Sequence, residues 1–281
     1  MDIKEKLLTK VKNLPTLPTV YSALSEAMQD PRASSDKIAS IISNDQVSAF
    51  KILKVANSPF FGFRGKIDTI TQAIMYLGFN EVRNIVFAIS VIDFFSKDKT
   101  LLNFRPVDFW AHSIGVGIIT RMIGRGVGEK NLENFFLSGI LHDIGKLLFF
   151  NIIQSEYSEV LDLVESNRIS IKEAEKKVLG IDHSDAGYLL ADKWKLPVSL
   201  QKVISNHHIG RSNDTADLLV ASVHLADIAA RILELGYAGD NLVPEPNIRA
   251  WEVVKLPPGF FAASRSKIME DYEQAVHMML V

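Results

Sequence analysis

Along this chain, apolar residues recur three and four positions apart, the spacing that stacks side chains on one face of an α-helix. Val20, Leu24 and Met28 share one face of residues 19–29, and Asp30-Pro31 ends that segment. Ile38, Ile41 and Ile42 mark a second helix, and Phe50, Leu53 and Val55 a third. Asn57-Ser58-Pro59, followed by Gly62 and Gly65, reads as a loop. Thr69 and Gln72 have capping-box spacing and open a helix that stops near Gly78. Asn80 then reads as the cap of a helix reaching about Phe95. Further on, the periodicity predicts helices near residues 108–123, 132–141, 157–165, 184–194, 198–208 and 216–235. Ser170 and Glu173 repeat the capping-box spacing, and Gly180 suits the residue just past a helix end. Residues 236–259, rich in Pro and Gly, read as an irregular excursion before a last helix from about Ser264. No alternating strand pattern stands out, so the predicted fold class is all-α, a multi-helix domain with an N-terminal helical subdomain. The polar run 96–100 is the natural boundary, giving subdomains of residues 1–98 and 99–281, the second carrying the last helix.

At 281 residues with 47% hydrophobic content, the chain can bury a sizeable core. A net charge of -2 and the lack of any Lys/Arg run give no pull toward DNA or an anionic membrane. There are no cysteines, which excludes disulfides and thiolate metal sites and fits a reducing compartment. The N-terminus is charged and amphipathic and lacks the apolar run of a secretory signal. Residues 85–95, read as the longest apolar stretch, fall short of the roughly 20 needed to span a bilayer. The expectation is a cytoplasmic protein that binds neither DNA nor membrane.

Candidate chemistry centres on His142-Asp143, inside the phrase HDIGK. Six of the seven histidines lie between His112 and His224. Asp108 and His112 are one helical turn apart and can point the same way. His183 sits at a predicted helix start, His207 and His208 at a predicted helix end, and Asp227 mid-helix among small residues. Mixed imidazole and carboxylate ligation suits Fe, Mn or Zn. A carboxylate can bridge two cations about 3.5–4 Å apart, a pair able to hold a hydroxide and clamp a phosphoryl group. Asp143 is the natural bridge, since His142 brings a second ligand to the same place. Lys146 offers a point charge for a phosphate oxygen, which makes Asp143 and Lys146 the candidate catalytic pair. Each position also has a plainer reading. Asp108 can be an exposed residue after Pro106, and His183 a helix cap. His207 and His208 can be a polar helix end favoured by the helix dipole. His224 can be a ligand, a neighbour of ligands or core, and His277 reads as surface. A carboxylate flanked by FFLSGIL and LLFF needs compensation, and a metal is one way to supply it.

The order His112, His142-Asp143, His183, His207-His208, Asp227 resembles the HD superfamily of metal-dependent phosphohydrolases. In its HD-GYP branch an acidic residue one turn before the first His also ligates, and Asp108 occupies that place. That branch continues with a Glu and a glycine-tyrosine-proline signature, where this chain reads HHIGRSNDTADLL. The phrases LPTLPTVYSAL, IISNDQVSAFKILKVANSPFFG and ITQAIMYLGFNEVRNIVFAISV resemble the HDOD family, a branch of bacterial helical output domains. The resemblance spans about residues 14–235. It implies a regulatory, signal-transduction protein in a family where many members have lost the dyad that this chain keeps. It also implies a ligand set of Asp108, His112, His142, Asp143, His183, His207, His208 and Asp227. That set would hold one or two transition-metal ions, with ligands enough for a third and Fe or Mn ahead of Zn. The implied partners are a signalling protein and, as a candidate ligand, a nucleotide. The alternative is a metal-dependent phosphohydrolase acting on a nucleotide or cyclic dinucleotide. Phe60, Phe61 and Phe63 read as core or interdomain packing ahead of an exposed partner patch.

Overall fold

A computed structural model describes residues 6, 9, 19–27, 34–58, 65–95, 100–211 and 217–280. The chain is all-α. Among the described residues no strand forms, and an isolated antiparallel bridge joins Leu101 to Phe104. Contacts divide the chain into two units, one of Met1–Leu14 with Lys97–Ile268, the other of Pro15–Ser96 with Met269–Val281.

In the second unit, helices α1 (Thr19–Ala27), α3 (Gln46–Ala56) and α4 (Ile70–Leu77) pack against α5 (Phe79–Phe94), and α2 (Ser35–Ser43) closes the group. The core is built from Ile42, Ile52, Ala73, Val82 and Phe87, all fully buried. Side-chain caps fix where the helices start. Ser34 accepts from the Lys37 amide, and Asp45 accepts from the amides of Val47 and Ser48. Thr69 caps α4 as its spacing implied, but Gln72 reaches back to the amide of Asp68 rather than to that of Thr69. Asn80 is not a cap. Gly78, at φ +89°, both ends α4 and starts α5, so Asn80 already lies inside the helix. Asn57 explains the NSP phrase: its amide donates to the carbonyls of Leu53 and Ile67 and accepts from the Ile67 amide, tying the end of α3 to the start of the next segment. Phe60, Phe61 and Phe63 lie outside the described residues.

The first unit is organised around α6 (Pro106–Gly126), which is buried on nearly every face. It packs along α7 (Leu132–Leu141) and α13 (Leu218–Ile232). Around these three lie α8 (Ile144–Ile152), α9 (Gln154–Asn167), α10 (Ile171–Leu179), α11 (His183–Lys193) and α12 (Val198–Asn206). Helix α14 (Ile248–Val254) follows, and α15 (Phe260–Leu280) begins four residues before its expected start at Ser264. Periodicity missed two of these helices. Residues 144–152 are apolar almost throughout, so α8 shows no polar face to betray its period. Helix α14 is seven residues long and hidden among prolines and glycines. The 21 residues Leu132–Ile152, not residues 85–95, are by length and composition apolar enough to cross a bilayer. Within it residues 135–150 are all buried, and the stretch is broken into α7 and α8 at His142-Asp143, as core helices are.

Candidate metal centre

Helix ends bring the chemistry together. His142 ends α7 and Asp143 starts α8; His183 is the first residue of α11; His207 ends α12, with His208 next. His112 and Asp227 come from the interiors of α6 and α13. A helix C-terminus leaves carbonyls without intrahelical donors, and imidazoles take two of them here. The Nδ1 of His142 donates to the Gly139 carbonyl at 2.7 Å, and that of His207 to the Ile204 carbonyl at 3.1 Å. His112 uses the Leu235 carbonyl in the same way at 3.2 Å, and His183 the Glu175 carboxylate at 2.5 Å. Each ring therefore holds a proton on Nδ1 and turns its Nε2 inward. One close crossing makes this possible. A Cβ on Gly145 would lie 1.9 Å from the His183 carbonyl, so only glycine lets α8 and the start of α11 approach this far.

The Nε2 atoms converge on Asp143. Its Oδ1 is 3.1 Å from His183 and 3.3 Å from His207, and its Oδ2 is 3.2 Å from His142 and 2.5 Å from the Lys146 ammonium. His208 brings its Nε2 to 2.6 Å from that of His183. On the other side, Asp227 Oδ1 is 3.1 Å from His112 Nε2 and 3.9 Å from His142 Nε2. Two sets have ligand atoms mutually within 4.8 Å: Asp143, His183, His207 and His208; and His112, His142 and Asp143. Asp143 belongs to both, the arrangement expected of a bridging carboxylate. Asp143 Oδ1, His142 Nε2 and His207 Nε2 are buried yet make no well-formed hydrogen bond. Buried polar atoms are normally satisfied, so three orphans aimed at one point fit a cation between them. Asp143 also occupies a helix N-cap position without capping, its carboxylate being turned to the site instead.

The electrostatics agree with that donor set. Burial would raise the Asp143 carboxyl, but His142, Lys146 and His183 hold it well below the usual range. Burial acts the same way on Asp227, and Arg231 and His112 overcome it. Burial lowers His112, pushes His207 down to about 4, and drives His208 well below its ordinary value with help from His207 and His183. Neutral imidazoles beside ionised carboxylates are the protonation state a metal requires. His183 departs from this: against burial, Glu175 and Asp143 raise it to about 9. The anionic pair around it is charge that a cation can balance in place of the proton.

Seven of the eight residues proposed as ligands thus lie at or beside this centre, and Asp108 does not. Its carboxylate forms a two-pronged ion pair with Arg105 and belongs to neither set. One turn upstream of His112, Asp108 sits in the first turn of α6, where Arg105 at the N-cap position takes it. Lys146 is fully buried, and its ammonium is committed to Asp143 and to the Ala238 carbonyl at 2.8 Å. His224 sits behind the ligands, donating to the His207 carbonyl at 2.8 Å and accepting from the Asn247 amide at 2.9 Å. His277 is exposed. Sequence reasoning missed Glu175, whose Oε2 accepts both the ring and the backbone N–H of His183. A signal was present: Glu175 lies on the apolar stripe of α10 with Ile171, Ala174 and Leu179. It also missed Arg231, one turn after Asp227 and paired with it at 3.1 Å.

A family model, HDOD domain, matches residues 14–209. An HDOD domain protein of unknown function from Geobacter sulfurreducens superposes with a TM-score of 0.81 at 27% identity, covering 99% of both chains. A protein from Shewanella amazonensis SB2B, named as a candidate phosphohydrolase, superposes at 0.75 with 23% identity over 98% of both chains, a likeness of fold. An uncharacterized protein of Treponema pallidum (strain Nichols) is 20% identical over 227 residues, 80% of this chain. The chain spans 44% of the length of that curated relative.

Proposed function

The chain belongs to the HDOD family, and from that premise we propose that it is a regulatory, signal-transduction protein whose His/Asp core holds one or two transition-metal ions. The observation that carries the metal reading is the convergence of pinned imidazoles on Asp143, with three buried ligand atoms otherwise unsatisfied. His183, His207, His208 and Asp143 would hold one ion; His112, His142 and Asp143, with Asp227 alongside, a second. Imidazole with carboxylate and no thiolate suits Fe, Mn or Zn, and the family resemblance puts Fe or Mn first. Two observations support regulation over turnover. Lys146, the one ammonium beside Asp143, points inward, and the sequence after His207-His208 lacks the signature of the hydrolytic HD-GYP branch. On this reading the domain passes a metal-dependent conformational state to a protein partner.

A second reading, a phosphohydrolase acting on a nucleotide, is favoured by one feature. A cavity of about 590 Å³, lined by Arg231, Gly236, Tyr237 and Asp240, reaches His112. Metal ions bound at such a centre supply Lewis acidity toward a phosphoryl oxygen. The test is to purify the protein anaerobically in metal-replete medium, measure its metal content, and assay phosphodiesters and a nucleotide panel. Stoichiometric metal without turnover is the expected result. Turnover abolished in a folded Asp143→Asn variant would establish the hydrolase, and a metal-free protein would overturn both readings.

A further inference from the structure

The segment 235–242, between α13 and α14, borders the candidate metal centre from outside, through Leu235, Gly236, Ala238 and Asp240. The Leu235 carbonyl accepts from the ring of His112, and the Tyr237 amide donates to the Asp108 carbonyl at 3.0 Å. The Ala238 carbonyl accepts from Lys146. Gly236, at φ +69°, lies so close to α6 that a Cβ there would come within 2.2 Å of the His112 amide. A second cavity, of about 370 Å³ and lined by Asn103, Glu165 and Arg168, shares Tyr237 and Asp240 with the cavity that reaches His112. The segment is thus a single-chain strap with space on both sides, held by a few polar contacts.

Asp240 supplies three more of those contacts. It is 6% exposed. Its Oδ1 accepts from Arg231 Nη1 at 2.9 Å and from the Leu242 amide, and its Oδ2 accepts from the Ile171 amide, the first residue of α10, at 2.9 Å. Both partners lead to ligands. Arg231 fixes Asp227, which meets His112. Helix α10 carries Glu175, which fixes His183. We propose that Asp240 is a positioning residue that couples the two halves of the metal centre, setting Asp227 through Arg231 and His183 through the N-terminus of α10. The physics is that of an outer shell: a ligand keeps its geometry only while its own partner is held, and loss of such a partner typically costs 10–100-fold in metal affinity. Inside the centre Asp143 belongs to both halves; outside it Asp240 contacts the supports of both.

The proposal rests on the metal reading above. The experiment titrates metal-free wild-type protein, Asp240→Asn and Asp240→Ala with Mn²⁺ well below the melting temperature, following stoichiometry and affinity. Amide hydrogen exchange of the metal-free proteins is measured alongside. Val160→Ala, a truncation of a fully buried residue of α9, controls for lost stability. Expected are affinities about 10-fold lower in Asp240→Asn and lower still in Asp240→Ala. Exchange should quicken both at the start of α10 and in 235–242, while Val160→Ala melts earlier but binds as wild type does. Asp240 variants binding within twofold of wild type overturn the proposal, as does an equal loss in Val160→Ala. A wild type that binds no Mn²⁺ sinks the metal reading. The exchange data then decide the clamp alone, which fails if α10 and the strap are unchanged.

Discussion

Replacing Lys146 with Met separates two roles for the HDIGK lysine. Met preserves most of the aliphatic stem and removes the charge. In the structure that charge lies 2.5 Å from Asp143 Oδ2 with no solvent exposure, and it also satisfies the Ala238 carbonyl. Removing one partner of a buried pair leaves the other uncompensated, at a cost of about 3–5 kcal/mol. For a domain of this size, that lowers Tm by roughly 6–20 °C. The metal-free variant should therefore melt far below metal-free wild type. A cation at Asp143 replaces the missing charge, so saturating Mn²⁺ should raise the Tm of the variant more than that of wild type. At 100-fold excess over Kd, binding alone contributes about 2.7 kcal/mol. The assay is differential scanning calorimetry of both proteins with chelator and with metal. If Lys146 served a phosphate instead, the metal-free variant would melt within about 2 °C of wild type; that result refutes the assignment.

Other outcomes follow from the same geometry. Glu175→Gln keeps a carbonyl acceptor for His183 but loses the charge, and metal affinity should drop by about 10–100-fold; unchanged metal content after dialysis against a weak chelator would count against it. Gly145→Ala forces α8 away from the start of α11 and should cost bound metal at permissive temperature, with helical content retained; full metal loading would refute the crossing argument. His142→Ala should cost metal before it costs fold, because α7 and α8 keep their own apolar contacts, and global melting of wild type on mild chelation would contradict this. In the other unit, Asp45→Ala should cost about 1 kcal/mol as a lost N-cap. The Ser48 hydroxyl, with the amides of Ser48 and Val47, holds the Asp45 carboxyl below its ordinary value. The cap's contribution is thus full above the ordinary carboxylate range and lost as pH falls through the lowered value. Urea titrations of both proteins should differ at neutral pH and converge at acid pH.

The all-α class was legible because most helices are amphipathic and several are capped by side chains at the expected places, Thr69 and Ser170 among them. Helix α8 was not, because a helix buried all round has no period to read. The inner residues of the centre could be named from order and type alone. What could not be named was their support. Asp108 and Glu175 show why. Both are acidic residues near a histidine, and spacing favoured Asp108, one turn from His112. Position on the helix decided otherwise: Asp108 faces Arg105, while Glu175 falls on the buried stripe of α10. The partner that brings Glu175 to His183 is the tertiary contact itself, eight residues and a turn away, and no local pattern encodes it. Asp240 is less legible still, since its partners lie on α10 and α13 and its own segment has no regular structure.

The charge balance of the buried region argues for a divalent ion independently of any single distance. Four carboxylates form or support the centre, Asp143, Glu175, Asp227 and Asp240, each at most 6% exposed, while Asp182 beside His183 faces Lys172 and Lys176. Facing them are two cations, Lys146 and Arg231. With neutral imidazoles the region carries two uncompensated negative charges, and the proton on His183 balances one of them. Burying such charge without compensation is costly, and a purely structural core gains nothing from it, since apolar residues of the same volume are commonly as stable or more so. The Nε2 atoms turned inward by the Nδ1 bonds of His142 and His207 mark where a cation would sit. A divalent ion supplies both charges there, and His183 no longer needs its proton. The polar core thus has the charge and the donor atoms that a cation would complete, with Lys146, Glu175, Arg231 and Asp240 bonded to or behind its inner residues.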